Sequence, residues 1–153
     1  MEANTCFFIG HRDTPEQITP RLIESVKRHV EQYGVTVFFV GHYGAFDRMA
    51  SHAVSVVKRQ YPHIRLVALL PYFPNKQADE RQELYDSSYY PPGMETVPKP
   101  FAIVRANEHM IRSCGYLICY NKGYIGKTRD FVDMALRREK RGLLHVENLA
   151  LEE

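Results

Sequence analysis

The sequence predicts an α/β fold, a mainly parallel sheet of about five strands in three layers with helices on both faces. Three observations predict it. Short apolar runs alternate with amphipathic stretches along the whole chain. The apolar runs show little polar alternation, as strands buried on both faces do. Glycine or proline stands at most of the junctions between them, where chain reversals need those residues. Length agrees: 153 residues make one domain able to bury roughly 70% of its unfolded surface. Residues 1–153 are therefore read as a single domain.

Thr5 to Ile9 is the first strand. Thr14-Pro15-Glu16-Gln17 then predicts a helix start, with Thr14 as cap, Pro15 in the first position and Gln17 closing a capping box. Ile18, Leu22, Val26 and Val30 recur at helical spacing, and Gly34 stops the helix. Val35 to Val40 is the second strand and Gly41 to Asp47 a glycine-containing turn. Met49, Ala53, Val56 and Val57 mark a second helix ending before Pro62, and Ile64 to Leu70 is the third strand. Residues 71–100 are rich in proline and tyrosine and read as a long loop, with a short helix around Lys76 to Tyr85. Phe101 to Ser113 is a third main helix, and Tyr116 to Tyr120 a fourth strand. A second glycine-containing turn spans Asn121 to Lys127. Thr128 then caps a helix running to Arg141 with Gly142 as its stop, and Leu143 to Val146 is a fifth strand. Right-handed crossovers between such strands give a doubly wound, Rossmann-like domain.

Composition narrows the function classes. Hydrophobic residues at 44% and charged residues at 25% exclude a disordered or fibrous chain. A net charge of +2 is a weak lure for polyanions, so a nucleic-acid partner is not expected on this ground. Cys6, Cys114 and Cys119 lie in apolar surroundings and read as buried free thiols of a reducing compartment. The spacing of Cys114 and Cys119 does not suit zinc, and no metal or cofactor is expected. There is no basic leader and no apolar run of membrane-spanning length, which predicts a cytoplasmic protein without a membrane partner.

Ligands of open parallel sheets bind beyond the carboxyl ends of the strands. Three turns there are unusual, and each opens a helix whose free N–H groups suit an anion. In Gly10-His11-Arg12 the glycine permits close backbone approach and Arg12 can grip a phosphate or carboxylate in two-pronged fashion. His11 is either an acid–base group or a hydrogen-bonded structural histidine. In the second turn Gly41 and Gly44 open the backbone, and Asp47 can accept bonds from ribose hydroxyls or cap the following helix. Asn121 to Thr128 resembles a phosphate loop whose first glycine is replaced by asparagine. It lies late in the chain and lacks a partner acid, so the prediction is a simpler anion cradle of Gly123, Gly126, Lys127 and Thr128 rather than an ATPase loop. On the third main helix Arg105 and Asn107 point apart and face either solvent or the cleft. The tyrosines between Tyr72 and Tyr90 form a base-stacking lid, cover core, or make a subunit contact.

Taken together these turns resemble the SLOG superfamily, Rossmann-like domains related to the Smf DNA-processing and Lonely-guy proteins. The resemblance rests on a first strand ending in Gly-His-Arg, the run Gly-x-x-Gly-Ala-Phe-Asp-x-x-Ala from Gly41, and Arg-x-Asn-x-x-Met from Arg105. It covers about Thr5 to Val146 and is greatest to the YpsA/YoqJ-like bacterial and phage branch. It implies a nucleotide or nucleotide-derived ligand held over the sheet by Gly10 and Arg12, Gly41, Gly44 and Asp47, Arg105 and Asn107, and Gly123, Gly126 and Thr128. It also implies a homo-oligomer. In the Lonely-guy branch, which are nucleotide phosphoribohydrolases, the last turn is followed by a catalytic glutamate. Phe131 stands in that place here, the upstream Arg-Lys pair is missing, and Asp130 and Asp133 are out of register.

Three functions follow as expectations. The first is a binding or sensing domain for a phosphorylated, nucleotide-derived small molecule. The second is an N-glycosidic hydrolase, with Asp47 as the first candidate and Asp130 as the second for the carboxylate such chemistry needs. The third is single-stranded DNA binding, as in the Smf relatives, with tyrosines stacking on bases.

Overall fold

A computed structural model describes residues 4–41, 44–73 and 84–152. Its elements are β1 (Thr5–Gly10), α1 (Thr19–Tyr33), β2 (Val37–Val40), α2 (Ala45–Gln60), β3 (Arg65–Leu69), β4 (Ser87–Tyr89), α3 (Ala102–Ser113), β5 (Tyr116–Tyr120), α4 (Lys127–Lys140) and β6 (His145–Asn148). All strand pairs are parallel. The strand order is β4-β3-β2-β1-β5-β6. The chain thus starts mid-sheet, runs out to one edge, and returns through α3 to build the other half.

Side-chain alternation divides the core in two. Cys6, Phe8, Phe38, Val40 and Leu66 face α1 and α2, which bring Leu22, Val26, Ala50 and Val54. Phe7, Ile9, Phe39, Val67 and Leu117 face α3 and α4, which bring Ala106, Met110, Ile111 and Val132. Both faces are covered, which is why the strands read as continuous apolar runs. The three cysteines are buried and unpaired. Burial pushes all three thiols up, Cys114 to about 12.

The sheet has six strands rather than about five. The additional strand, β4, falls in the stretch read as loop. It is a three-residue edge strand of exposed serines, too short and too polar to show a pattern. Its register comes from elsewhere: the Asp86 carboxylate accepts the Leu66 N–H at 2.8 Å, and the Leu70 N–H donates to the Tyr89 carbonyl at 2.8 Å.

Two helix starts also differ from expectation. Thr14 does not cap α1. Its hydroxyl donates to the His11 carbonyl at 2.6 Å and closes a tight turn. A 3-10 turn, Glu16–Ile18, follows Pro15, and α1 starts only at Thr19, with Pro20 in its first turn. Thr128 likewise does not cap α4; Gly126 precedes the helix and no side chain caps it. Gly34 and Gly142 do close their helices, with φ of +70° and +73°. The last strand starts two residues later than read, at His145. The predicted helix around 76–85 lies almost wholly outside the described residues, as do turn residues 42–43.

Candidate functional site

The winding reverses between β1 and β5, so their carboxyl ends have no crossover between them and leave a crevice. The sheet's three unusual turns meet there. Gly10 ends β1 directly against α2, where a Cβ would collide with the Phe46 ring. Gly44 has a φ of +115°, and a Cβ on it would lie 2.9 Å from the Arg12 Cα. The Ala45 N–H donates to the Arg12 carbonyl at 3.0 Å, joining the first two turns. The third turn is tied to the first by the Lys122 N–H, which donates to His11 Nε2 at 3.0 Å. The Thr128 hydroxyl adds a longer bond to the Gly10 carbonyl, at 3.4 Å.

His11 is thereby defined as a positioning residue. An Nε2 that accepts a backbone N–H carries no proton there. Burial lowers its pKa, and the nearby Lys122 lowers it further, against the opposing pull of Asp13. Its ring stands 5.2 Å from that of Tyr124 and 6.0 Å, edge-on, from that of Tyr120.

Asn121, in the place of a phosphate loop's first glycine, shapes the third turn. Its Oδ1 accepts the Gly123 N–H at 3.0 Å, and Gly123 has a φ of +86°. Asn148 at the end of β6 braces the turn from outside. Its Oδ1 accepts the Asn121 N–H, and its Nδ2 donates to the Asn121 carbonyl, both at 3.0 Å. The Asn148 contribution was invisible in the sequence, because it depends on β6 lying beside β5.

The turns enclose a cleft of about 300 Å³. Gly10, Arg12, Gly41, Asp47, Asn107, Lys127 and Thr128 line it. His11, Gly44, Gly123 and Gly126 build the surrounding turns without lining it. Arg105 stands outside, 64% exposed on its side chain, with Nε 3.9 Å from Glu108. Asp47 sits in the first turn of α2 behind Gly44, which is the residue at the cap position. Its Oδ2 lies 3.0 Å from where a Gly41 Cβ would be, so the glycine makes room for the carboxylate.

The opposite wall is apolar and was not read as part of a site. Pro71, Ile103, Val104 and Phe131 line it. Ile103 and Phe131 have helix-core spacing in the sequence, and nothing local distinguishes a core face from a cleft wall. The α2 and α4 N-termini, neither with a side-chain cap, meet this cleft, and the Ala45 N–H of α2 is already given to the Arg12 carbonyl. The arrangement suits a ligand with an anionic end near Arg12 and Lys127, hydroxyls near Asp47, and an apolar body. Among the described residues no cluster of three or more His, Cys, Asp or Glu side chains could hold a metal ion.

Fold and cleft together define a doubly wound Rossmann-like domain with its crevice at the switch point. The chain is similar in structure to DNA processing protein A from Helicobacter pylori, solved for its single-stranded DNA binding mode. The TM-score is 0.56 at 16% identity, over 95% of this chain and 66% of that one. The likeness shows the fold, and this chain spans 66% of the length of that one. No protein-family model and no curated protein matches the chain.

One expectation is corrected by this comparison. The net charge of +2 makes a nucleic-acid partner unexpected. A protein of the same fold binds single-stranded DNA, so that expectation is withdrawn. Net charge sums over the whole surface, whereas a short strand needs only a few cations at one place. No helix among the described residues is long and apolar enough to cross a membrane.

Proposed function

We propose that this chain is a binding or sensing domain for a phosphorylated nucleotide unit, of the SLOG type and its YpsA/YoqJ-like branch. One observation carries the reading: three anion-suited turns, bonded to one another, surround a single cleft that Arg12, Asp47, Asn107 and Lys127 line. The side chains divide the work. Arg12 and Lys127, with the first N–H groups of α4, take phosphate. Asp47 accepts ribose hydroxyls, and Asn107 offers a donor and an acceptor beside the apolar wall. Isothermal titration with nucleoside mono- and diphosphates, ADP-ribose and dinucleotides tests it. The expected result is micromolar binding to at least one, weakened about tenfold or more by Arg12→Ala or Lys127→Ala. Affinities no tighter than millimolar across the panel reject it.

The fold likeness favours a second reading, in which the nucleotide unit belongs to a single DNA strand. Fluorescence anisotropy with a short oligonucleotide at low salt decides it; affinity should fall steeply as salt rises. Hydrolysis has less support. Phe131 occupies the place the Lonely-guy resemblance implies for glutamate, and it forms cleft wall, 8% exposed. Asp47 is the single carboxylate among the described residues that line the cleft. Cleaving an N-glycosidic bond needs a carboxylate at the cationic centre and a second group to handle protons. An assay for released base is expected to stay flat. Turnover abolished by Asp47→Asn would reverse that conclusion.

A further inference from the structure

On the reading that the cleft takes one nucleotide unit, we infer that the adjoining groove along Tyr72, Phe73 and Tyr90 takes the second base of a ligand whose two nucleosides are joined through phosphate. The groove, of about 630 Å³, opens beside the cleft. Pro71 lines both. Lys99 and Ala102 line the groove while Pro100 and Ile103 line the cleft, so one stretch of chain divides the two.

The groove has what a base needs and a simple core does not. Phe73 is 78% exposed, yet its ring is held edge-on to Tyr90 with centroids 5.9 Å apart. An exposed aromatic ring held against a second ring is a stacking platform. Lys99 Nζ lies 5.5 Å from the centre of the Tyr72 ring, a cation held at the boundary with the cleft, where a bridging phosphate would pass. Glu95, the acid lining the groove, suits ribose hydroxyls. Stacking on faces reads no base edge, so selectivity between bases is left to Asn107 in the cleft. Two sources share this chemistry, a free pyrophosphate-linked dinucleotide and a dinucleotide step of a single strand.

Titration of three probes tests the inference: adenosine 5′-monophosphate, its 5′–5′ pyrophosphate-linked dimer, and the 5′-phosphorylated deoxyadenosine dinucleotide. At least one two-base probe should bind about tenfold tighter than the monophosphate; which one does identifies the source. Phe73→Ala should cut that preference to under about twofold, with Tyr72→Ala acting in the same direction. Unfolding midpoints confirm that both variants fold. Equal affinity for all three probes overturns the inference and leaves the cleft reading in place. A preference that survives both substitutions also overturns it. Binding of none of them overturns the inference, while the cleft reading is decided by the wider nucleotide panel.

Discussion

Gly44 carries two constraints at once, a left-handed backbone at φ +115° and an approach of 2.9 Å from its missing Cβ to the Arg12 backbone. Alanine satisfies neither. Gly44→Ala is expected to lower stability by about 1–3 kcal/mol, read as a reduced urea midpoint, and to push Arg12 out of the cleft. Gly34→Ala is the contrast. Its φ is +70° but nothing lies within 4 Å of a Cβ there, so it should cost only the backbone strain and leave ligand binding intact. A larger binding defect at Gly34 than at Gly44 would contradict this account. The glycine corners and the polar cleft residues were legible in the sequence because turns with phosphate-suited chemistry have few alternative uses. The apolar wall was not. Ile103 stands two turns from Met110, which is buried in the core, and Phe131 both belongs to that core and lines the cleft, so apolar spacing alone does not mark a cleft wall.

At the scale of elements, the helices, their glycine stops and the buried strands were legible from the sequence, and two of the helix starts were not. Thr14 has the residue type of a cap and spends its hydroxyl on the His11 carbonyl instead. The competing local bond holds the first turn in shape for the cleft. β4 is the clearer omission. Ser87, Ser88 and Tyr89 have no strand pattern, and Asp86 recruits them into the sheet. Its carboxylate bonds the Leu66 N–H of β3 and pairs with Lys58 of α2. Partial burial raises the Asp86 pKa, but the Lys58 and Leu66 bonds outweigh it and hold the carboxyl below its ordinary value. Asp86→Ala is expected to lower stability by about 1 kcal/mol. The larger effect should be local: faster hydrogen exchange at the Leu70 N–H, which donates to Tyr89, with β1 and β5 amides little changed. Uniform acceleration across the sheet would show that Asp86 supports the whole fold rather than its edge.

Across the whole molecule, the site is a product of strand order. No run of residues states that β1 and β5 are neighbours, yet their pairing from Cys6–Tyr116 to Gly10–Tyr120 brings the first and last turns together. His11 records that meeting, as acceptor for the Lys122 N–H. Two further histidines lie within packed surroundings. His29 is fully buried, its Nδ1–H donating to the Ser25 carbonyl at 2.7 Å and its Nε2 without a hydrogen-bond partner among the described residues. His109 Nε2 lies 2.9 Å from the Tyr89 hydroxyl. Burial is the leading cause that lowers the pKa of each of the three. In the unfolded chain all three titrate near pH 6.5, at about the ordinary value. Their contribution to stability is therefore complete above that pH. As pH falls from about 6.5 toward the folded values, the unfolded state binds protons that the native state refuses, and stability drops. Each histidine in transit adds up to about 1.4 kcal/mol per pH unit to that slope. Urea midpoints between pH 7.5 and 5 should fall accordingly. His29→Gln should remove one histidine's share of the slope, whatever it does to stability at pH 7.5. Ligand affinity should weaken over the same range, because a proton on His11 Nε2 replaces the acceptor that joins the third turn to the first. Stability that holds level or rises on acidification to pH 5 would mean that these histidines take up protons in the native fold, and that the turns meet by some other bond.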